Sequence, residues 1–177
     1  MTRLFYSGPS LETLHQDYAK QSVTDAEAQV TATASTEIGA PAPAVWQMIS
    51  DVASWPDWHP AMQILELSEV RPDAPFRWKT AGITIRSVFA LVTPGRELTW
   101  TGRFMFFKAV GQRLVEPLAA DRTRVSVAES IAGPLLPLLY SSAKLRAGHE
   151  QWLADLRRRV EADRGPAPWP AGLASLP

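Results

Sequence analysis

Seven segments with the two-residue periodicity of β-strands constrain the fold of this chain more than any other feature. Apolar residues alternate with polar or small ones, which is the pattern of strands with one buried face. Short turn sequences rich in Pro, Asp and Gly separate the last six segments, and this spacing favours an antiparallel meander. We predict strands at Gln29–Ile38, Gln63–Val70, Ala74–Thr80, Ile83–Val92, Glu97–Phe104, Ala109–Leu118 and Arg122–Ala132.

A long amphipathic helix is predicted after the last strand. Gly133 to Pro137 ends that strand, and apolar residues then recur at helical spacing over Leu138–Ala162. Charged residues occupy the opposite side, where Asp155 and Arg159 lie one helical turn apart. The stripe expected to be buried consists of Leu138, Ser142, Leu145, His149, Trp152, Leu156 and Val160.

Two shorter helices are expected before the meander. Gly39 to Pro43 ends the first strand and starts one of them, because proline is tolerated in a first helical turn. The other lies within Ser10–Lys20, where Ser10 can serve as the N-cap. This second helix precedes the domain, and we expect it to pack against the surface or to fray.

Composition and motifs exclude several function classes. The chain has 18 basic and 18 acidic residues and no cysteine, so nucleic-acid binding, disulfides and thiolate chemistry are not predicted. The three histidines, His15, His59 and His149, stand too far apart for a zinc motif. No phosphate-binding or redox-cofactor motif is present, so no cofactor and no metal are predicted. No signal peptide or membrane span is recognised, and a cytoplasmic location is expected.

Five short motifs in a fixed order resemble the SRPBCC superfamily, also called START-like or birch-pollen-allergen-like, and its polyketide cyclase/dehydratase-like members in particular. They are Ile38–Trp46, Asp51–Pro60 with its Trp-Pro pair, Arg96–Trp100, Thr123–Gly133 and Trp152–Leu156. The resemblance implies an α+β helix-grip fold, in which a curved antiparallel sheet of six to seven strands wraps around the C-terminal helix. We predict an N-terminal extension over 1–28, the helix-grip domain over 29–163 and a Pro-rich disordered tail over 164–177.

The resemblance also implies an apolar cavity between the sheet and the long helix. Aromatic rings and aliphatic chains would line it, which suits a lipid-like or polyketide-like ligand. Large aromatic side chains also dominate protein cores, so a packing role competes with ligand binding at each position. The candidate ligand-binding residues are Trp46, Trp55, Trp58, Trp78, Phe89, Trp100, Arg103, Tyr140 and Leu145.

Two titratable residues on predicted inward faces are candidate catalytic groups. Glu129 shares a strand face with Val127 and Ile131, and His149 lies on the apolar helix stripe. Glu129 would need a cationic partner, which Arg103 or Arg113 could supply. A structural role competes at both positions: a buried histidine is more often a hydrogen-bonded core residue, and the Glu129 pair could equally be a structural bridge near the rim. Many relatives carry a histidine near the position of Gly111, and its absence here removes the acid–base role based on it.

Three functions remain open at this point. The first is binding of a hydrophobic or aromatic small molecule, and the second is a cyclase or dehydratase reaction in the same pocket, with Arg103 steadying a developing enolate. The third is a protein-interaction module that makes contact through the N-terminal helix and the Pro-rich tail. The ligand, any reaction and the oligomeric state are not determined by the sequence.

Overall fold

One antiparallel sheet of seven strands forms the body of the molecule. The computed structural model describes residues 4–162. The strand order is β1-β7-β6-β5-β4-β3-β2, and every neighbouring pair is antiparallel. The predicted α+β helix-grip architecture is confirmed. The strands are β1 (Val30–Ile38), β2 (Met62–Leu67), β3 (Pro75–Thr80), β4 (Ile83–Thr93), β5 (Glu97–Phe104), β6 (Phe107–Ala119) and β7 (Arg122–Ala132).

Helices close one face of this sheet. The long helix α5 (Ser142–Ala162) lies against the inner face and contacts β1 along its length. The remaining elements are α1 (Leu11–Thr13), which continues as a π-helical turn (Leu14–Tyr18) and a 3₁₀ turn (Ala19–Gln21), then α2 (Ala42–Ser50), a 3₁₀ turn (Val52–Ser54), α3 (Trp55–Trp58) and α4 (Leu136–Leu139). Alternation puts Val125 and Val127 of β7 inside, where they pack with Leu156 of α5.

The start of the long helix differs from the prediction. The chain forms the single turn α4 and then extends at Tyr140 (φ −145°, ψ 150°), so that α5 begins only at Ser142. Proline is tolerated in the first turn of α4 but removes one backbone donor. Leu138, predicted on the buried stripe, is 70% exposed as a result.

Asp155 was predicted on the charged side of α5 but is buried. Its carboxylate accepts hydrogen bonds from His59 Nδ1 at 2.7 Å, from Arg158 at 2.5 Å and from Gln151 at 2.8 Å. Through these contacts α5 is joined to the loop that follows α3. They take the place of the pairing expected between Asp155 and its helical neighbour Arg159. Burial alone would raise the pKa of Asp155, but the hydrogen bonds outweigh it and hold the pKa below its usual value.

The N-terminal helical segment packs on the outer face of the sheet rather than fraying. Ser10 caps it, since its hydroxyl accepts a hydrogen bond from the Thr13 backbone N–H at 3.0 Å. The apolar side chains Leu14 and Ala19 are buried against β4 and β6. His15 lies 3.0 Å from the Thr101 hydroxyl and 2.9 Å from the Asp73 carboxylate, which links the segment to the sheet.

Two sequence expectations concern the ends of the chain and the membrane. The predicted Pro-rich tail over 164–177 lies outside the described residues. Within residues 4–162, no helix is long and apolar enough to cross a membrane.

Candidate functional site

Tryptophan side chains fill one end of the space between the sheet and α5. Trp55 lies 5.9 Å from Trp100 and 5.8 Å from Trp152, measured between ring centroids, and Trp58 lies 5.3 Å from Trp152. All four are buried, and tilted or edge-to-face contacts of this kind stabilise aromatic cores. We call Trp55, Trp58, Trp100 and Trp152 the tryptophan cluster. The cluster makes this end of the interior a packed core.

A group of polar side chains lies at the other end of the same interior. Glu129 projects from the inner face of β7, and His149 projects from α5, with its Nε2 atom 3.5 Å from Glu129 Oε2. His149 Nε2 is buried and makes no hydrogen bond within the described residues. The Glu129 side chain keeps 17% exposure, so this end of the interior is reached by solvent.

Arg113 of β6 joins the two ends. Its guanidinium carbon lies 4.9 Å from the ring centroid of Trp100 and 4.7 Å from that of Trp152, which is a double cation–π contact. Nη1 donates to the Gln112 backbone carbonyl at 3.0 Å, whereas Nε is buried without a hydrogen bond among residues 4–162. Burial lowers the pKa of Arg113 to about 10, offset in part by Glu129, so the group stays charged at neutral pH. We call Arg113, Glu129 and His149 the polar cluster.

Burial sets the protonation of the cluster's two other members. Desolvation raises the pKa of Glu129 to about 7, and the charge of Arg113 offsets only part of that effect. Desolvation lowers the pKa of His149 to about 3, and Arg113 and Arg146 act in the same direction. Between these values His149 is neutral while Glu129 holds its proton. Their contact is therefore not an ion pair in this range of pH.

The absence of a histidine on β6 has a steric cause. Gly111 lies directly opposite Trp100, and a Cβ atom there would come within 2.8 Å of the indole ring. The ring of Trp100 thus covers the backbone where a larger side chain would project. Any residue other than glycine would displace the Trp100 ring.

The structure brings together some of the predicted site residues. Leu145 and Tyr140 lie near Glu129, in a small apolar cluster formed with Val30 and Ala32 of β1, and Ala32 pairs with Glu129. Burial raises the pKa of the Tyr140 hydroxyl, and the charge of Glu129 adds to this effect.

Other predicted residues belong to the packed core. Phe89 stacks on Phe76 with 4.2 Å between ring centroids, and the Trp78 Nε1–H donates to Ser87 at 3.0 Å. Trp46 of α2 is half-buried against the same core. These contacts place Phe89 and Trp78 in the core and Trp46 against its border.

Arg103 does not reach the interior. It is exposed on the outer face of β5, opposite Arg86, because it alternates with Trp100. Of the two partners expected for Glu129, the structure brings Arg113 into its electrostatic range. Residues on one strand face are separated by two or four positions, and Arg103 follows Trp100 by three. This spacing was a signal in the sequence that could have excluded Arg103 from the interior.

Two open grooves lie outside this interior. One of about 330 Å³ lies on the outer face, between Leu11 of α1 and the strands that carry Arg77, Arg86 and Arg103. The other, of about 410 Å³, lies between α2 and the end of α5, beside Asp51 and Arg159. Among residues 4–162, no group of three or more His, Cys, Asp or Glu side chains is placed to hold a metal ion.

The fold resembles several solved structures. A hypothetical protein from Helicobacter pylori shares 19% identity with a TM-score of 0.68, over 77% of this chain and 90% of that one. A START superfamily protein from Mycobacterium smegmatis shares 20% identity with a TM-score of 0.60, over 75% and 97%. The ZhuI aromatase/cyclase from a Streptomyces species shares 18% identity with a TM-score of 0.57, over 76% and 94%. At these identities the likeness concerns the fold alone.

Sequence comparison gives the family. A search of curated proteins found no match to this chain. The sequence model of the family described as "Polyketide cyclase / dehydrase and lipid transport" matches residues 29–161. That match covers most of the chain, including the tryptophan cluster and the polar cluster. The chain therefore belongs to the polyketide cyclase/dehydrase and lipid transport family.

Proposed function

We propose that this protein binds an apolar or aromatic small molecule, lipid-like or polyketide-like, whose polar group contacts the polar cluster. The observation that carries the proposal is that three of the five buried side-chain atoms without hydrogen bonds within residues 4–162, His149 Nε2, Arg113 Nε and Trp152 Nε1, lie in or against the polar cluster. The other two are Trp58 Nε1 and Arg77 Nε. Such atoms cost free energy when they lack a partner, and they are rare in folded proteins. A carbonyl or hydroxyl group of a ligand would satisfy those at the polar cluster.

The surroundings of the cluster suit the apolar part of such a ligand. Leu145 and Tyr140 lie on the α5 side, and Trp100 and Trp152 flank Arg113. Small-molecule sites typically combine an apolar lining with a few placed polar groups. Because the tryptophan cluster occupies the other end, we place the ligand beside Glu129, where the interior meets solvent.

Ligand-dependent thermal stabilisation tests this proposal. We expect a panel of fatty acids, phospholipids and aromatic polyketides to contain compounds that raise the Tm of the wild-type protein. Glu129→Gln and His149→Ala should each need about ten times more ligand for the same rise in Tm. This corresponds to about 1.4 kcal/mol of binding free energy for one lost hydrogen bond. Glu116→Gln is the matched control, because Glu116 lies exposed on the outer face of the sheet. Equal shifts in all three variants would contradict the proposed site.

A second candidate function is proton transfer on the bound molecule, as in a cyclase or dehydratase reaction. A carboxyl group with a pKa of about 7 beside a neutral imidazole is poised to give and take a proton near neutral pH. Arg113, rather than Arg103, would then stabilise a developing enolate oxygen. For an enzyme, Glu129→Gln should abolish turnover of an identified ligand even at ligand concentrations that saturate the variant, a loss that weaker binding alone does not explain. Unchanged turnover would rule out Glu129 as the acid–base group.

A further inference from the structure

Large apolar side chains are exposed together at one end of the domain. Phe5, Met105, Phe106, Leu138 and Leu139 are each at least 66% exposed, and Leu135 is 43% exposed. We call these six side chains the end patch. They are six of the nine large apolar residues exposed among residues 4–162. Apolar side chains concentrated in this way mark a contact surface, whereas scattered ones need no explanation.

Backbone contacts hold the three segments of the end patch side by side. The β5–β6 hairpin places Met105 and Phe106 at its tip. The C-terminal end of β7 lies beside this hairpin, at the same end of the sheet. A Cβ atom on Gly133 would lie 3.1 Å from the Phe106 carbonyl oxygen, so the chain leading to α4 touches the hairpin. The Leu135 N–H donates to the Leu4 carbonyl at 2.7 Å, which brings Phe5 to the same place.

The hairpin tip is not built for the stability of the fold. Met105 has φ 49°, a left-handed conformation that a long side chain adopts at an energetic cost. A two-residue hairpin ordinarily places glycine or asparagine at a position with positive φ. A methionine and a phenylalanine exposed there contribute little burial. A contact with a surface outside the folded monomer accounts for both features, the left-handed conformation of Met105 and the exposure of the two apolar side chains.

Cations predominate in the segments that form the end patch, and the carboxylate of Asp25, which lies beside Tyr6 and Gly8, is buried. Residues 4–11, 98–111 and 130–149 contain no Asp or Glu, although the whole chain has equal numbers of acidic and basic residues. The same ranges contain Arg103, Lys108, Lys144 and Arg146. Arg103 and Lys144 are exposed and form no ion pair within the described residues. Apolar side chains flanked by cations are the composition of surfaces that bind anionic lipid.

We infer that the end patch is a docking surface for a lipid bilayer that contains anionic headgroups. Met105, Phe106, Leu138 and Leu139 would enter the acyl boundary, while Arg103 and Lys144 would contact the headgroup phosphates. The charge complementarity favours a membrane over a second copy of this chain, whose end patch would present the same cations. The inference concerns the outside of the domain and does not depend on ligand binding in the interior.

Vesicle flotation with the full-length protein tests the inference. We expect the wild type to float with phosphatidylcholine vesicles that contain phosphatidylglycerol, and to bind pure phosphatidylcholine vesicles at least several-fold more weakly. Met105→Asn with Phe106→Gly should lower partitioning about tenfold, because two apolar side chains are lost from the contact. The same pair should keep or raise the Tm, since asparagine adopts the positive φ of position 105 at a lower cost than methionine. Leu138→Ser with Leu139→Ser is a second, independent test.

Leu65→Asn is the matched control, because Leu65 is 44% exposed on β2, outside the end patch. It should float as the wild type does. No flotation of the wild type, or equal flotation of the hairpin variant, would overturn the inference. Sedimentation equilibrium provides a further check: a wild-type dimer that Met105→Asn with Phe106→Gly converts to monomer would assign the end patch to self-association instead.

Discussion

The two ends of the interior are covered by the same sheet and the same helix, yet they differ in chemistry. At one end the tryptophan cluster packs ring against ring, and the Trp55 Nε1–H donates to the Ile49 carbonyl, although the indole nitrogens of Trp58 and Trp152 have no hydrogen bond among residues 4–162. At the other end lie titratable groups: His149 and Arg113 are buried, each with one nitrogen that has no hydrogen bond among the same residues, and Glu129 keeps 17% exposure. The first end contributes stability, whereas the second tolerates an energetic cost. Such a division is typical of a binding site placed on a rigid support.

Removing one ring of the tryptophan cluster should have the largest effect. Trp55 is buried, contacts two other tryptophans and donates from Nε1 to the Ile49 carbonyl at 3.0 Å. We expect Trp55→Ala to lower the free energy of unfolding by about 3–5 kcal/mol, because it creates a large cavity in a packed core. Urea denaturation measures this. A loss below about 1 kcal/mol would mean that the rings are loosely packed and that this end is also open to ligand.

A pH series should distinguish the two ends, because the polar end contains a group whose protonation changes the free energy of unfolding. The pKa of Glu129 is raised in the folded state, from 4.5 to about 7. A carboxyl group of this kind contributes a loss of stability that grows as pH rises from about 4.5 through about 7. Glu129→Gln should therefore be more stable than the wild type by about 2–3 kcal/mol at pH 8, and equally stable near pH 4. Denaturation curves at both pH values check the sign, and a variant that is less stable at pH 8 would show that the charged carboxylate is well solvated.

The border between the two ends is tested at Gly111. A Cβ there would lie 2.8 Å from the Trp100 ring, so Gly111→Ala should cost about 2 kcal/mol through overpacking. Gly148→Ala is its control, because a Cβ at Gly148 in α5 meets nothing within 4 Å. That change should stabilise the protein by up to about 1 kcal/mol, since alanine is the better helix former. Equal effects of the two substitutions would show that Trp100 moves freely.

Much of the fold was predictable from the sequence because the signals are local. The bounds of β5 and β7 agree with the prediction, and those of the other strands differ by one to three residues. The start of α5 was less predictable. Apolar periodicity continued across α4, and the extended residue Tyr140 leaves no mark in that pattern.

The candidate site was predicted in part. Glu129 and His149 were identified as inward-facing, and they lie 3.5 Å apart. His59 and Asp155 were not paired by the sequence, because 96 residues separate them and each looked isolated. The ligand-binding and catalytic roles of the named residues remain predictions, which the variants above test.

The sequence by itself determined the alternation of buried and exposed positions and the order of the elements, because periodicity is fixed by the geometry of a strand or a helix. Only the tertiary structure decided that Arg113 lies between Trp100 and Trp152, and that the interior is packed at one end and polar at the other. Those outcomes depend on the register between strands and on the position of α5 across them. Distances between residues far apart in the chain have no counterpart in local sequence.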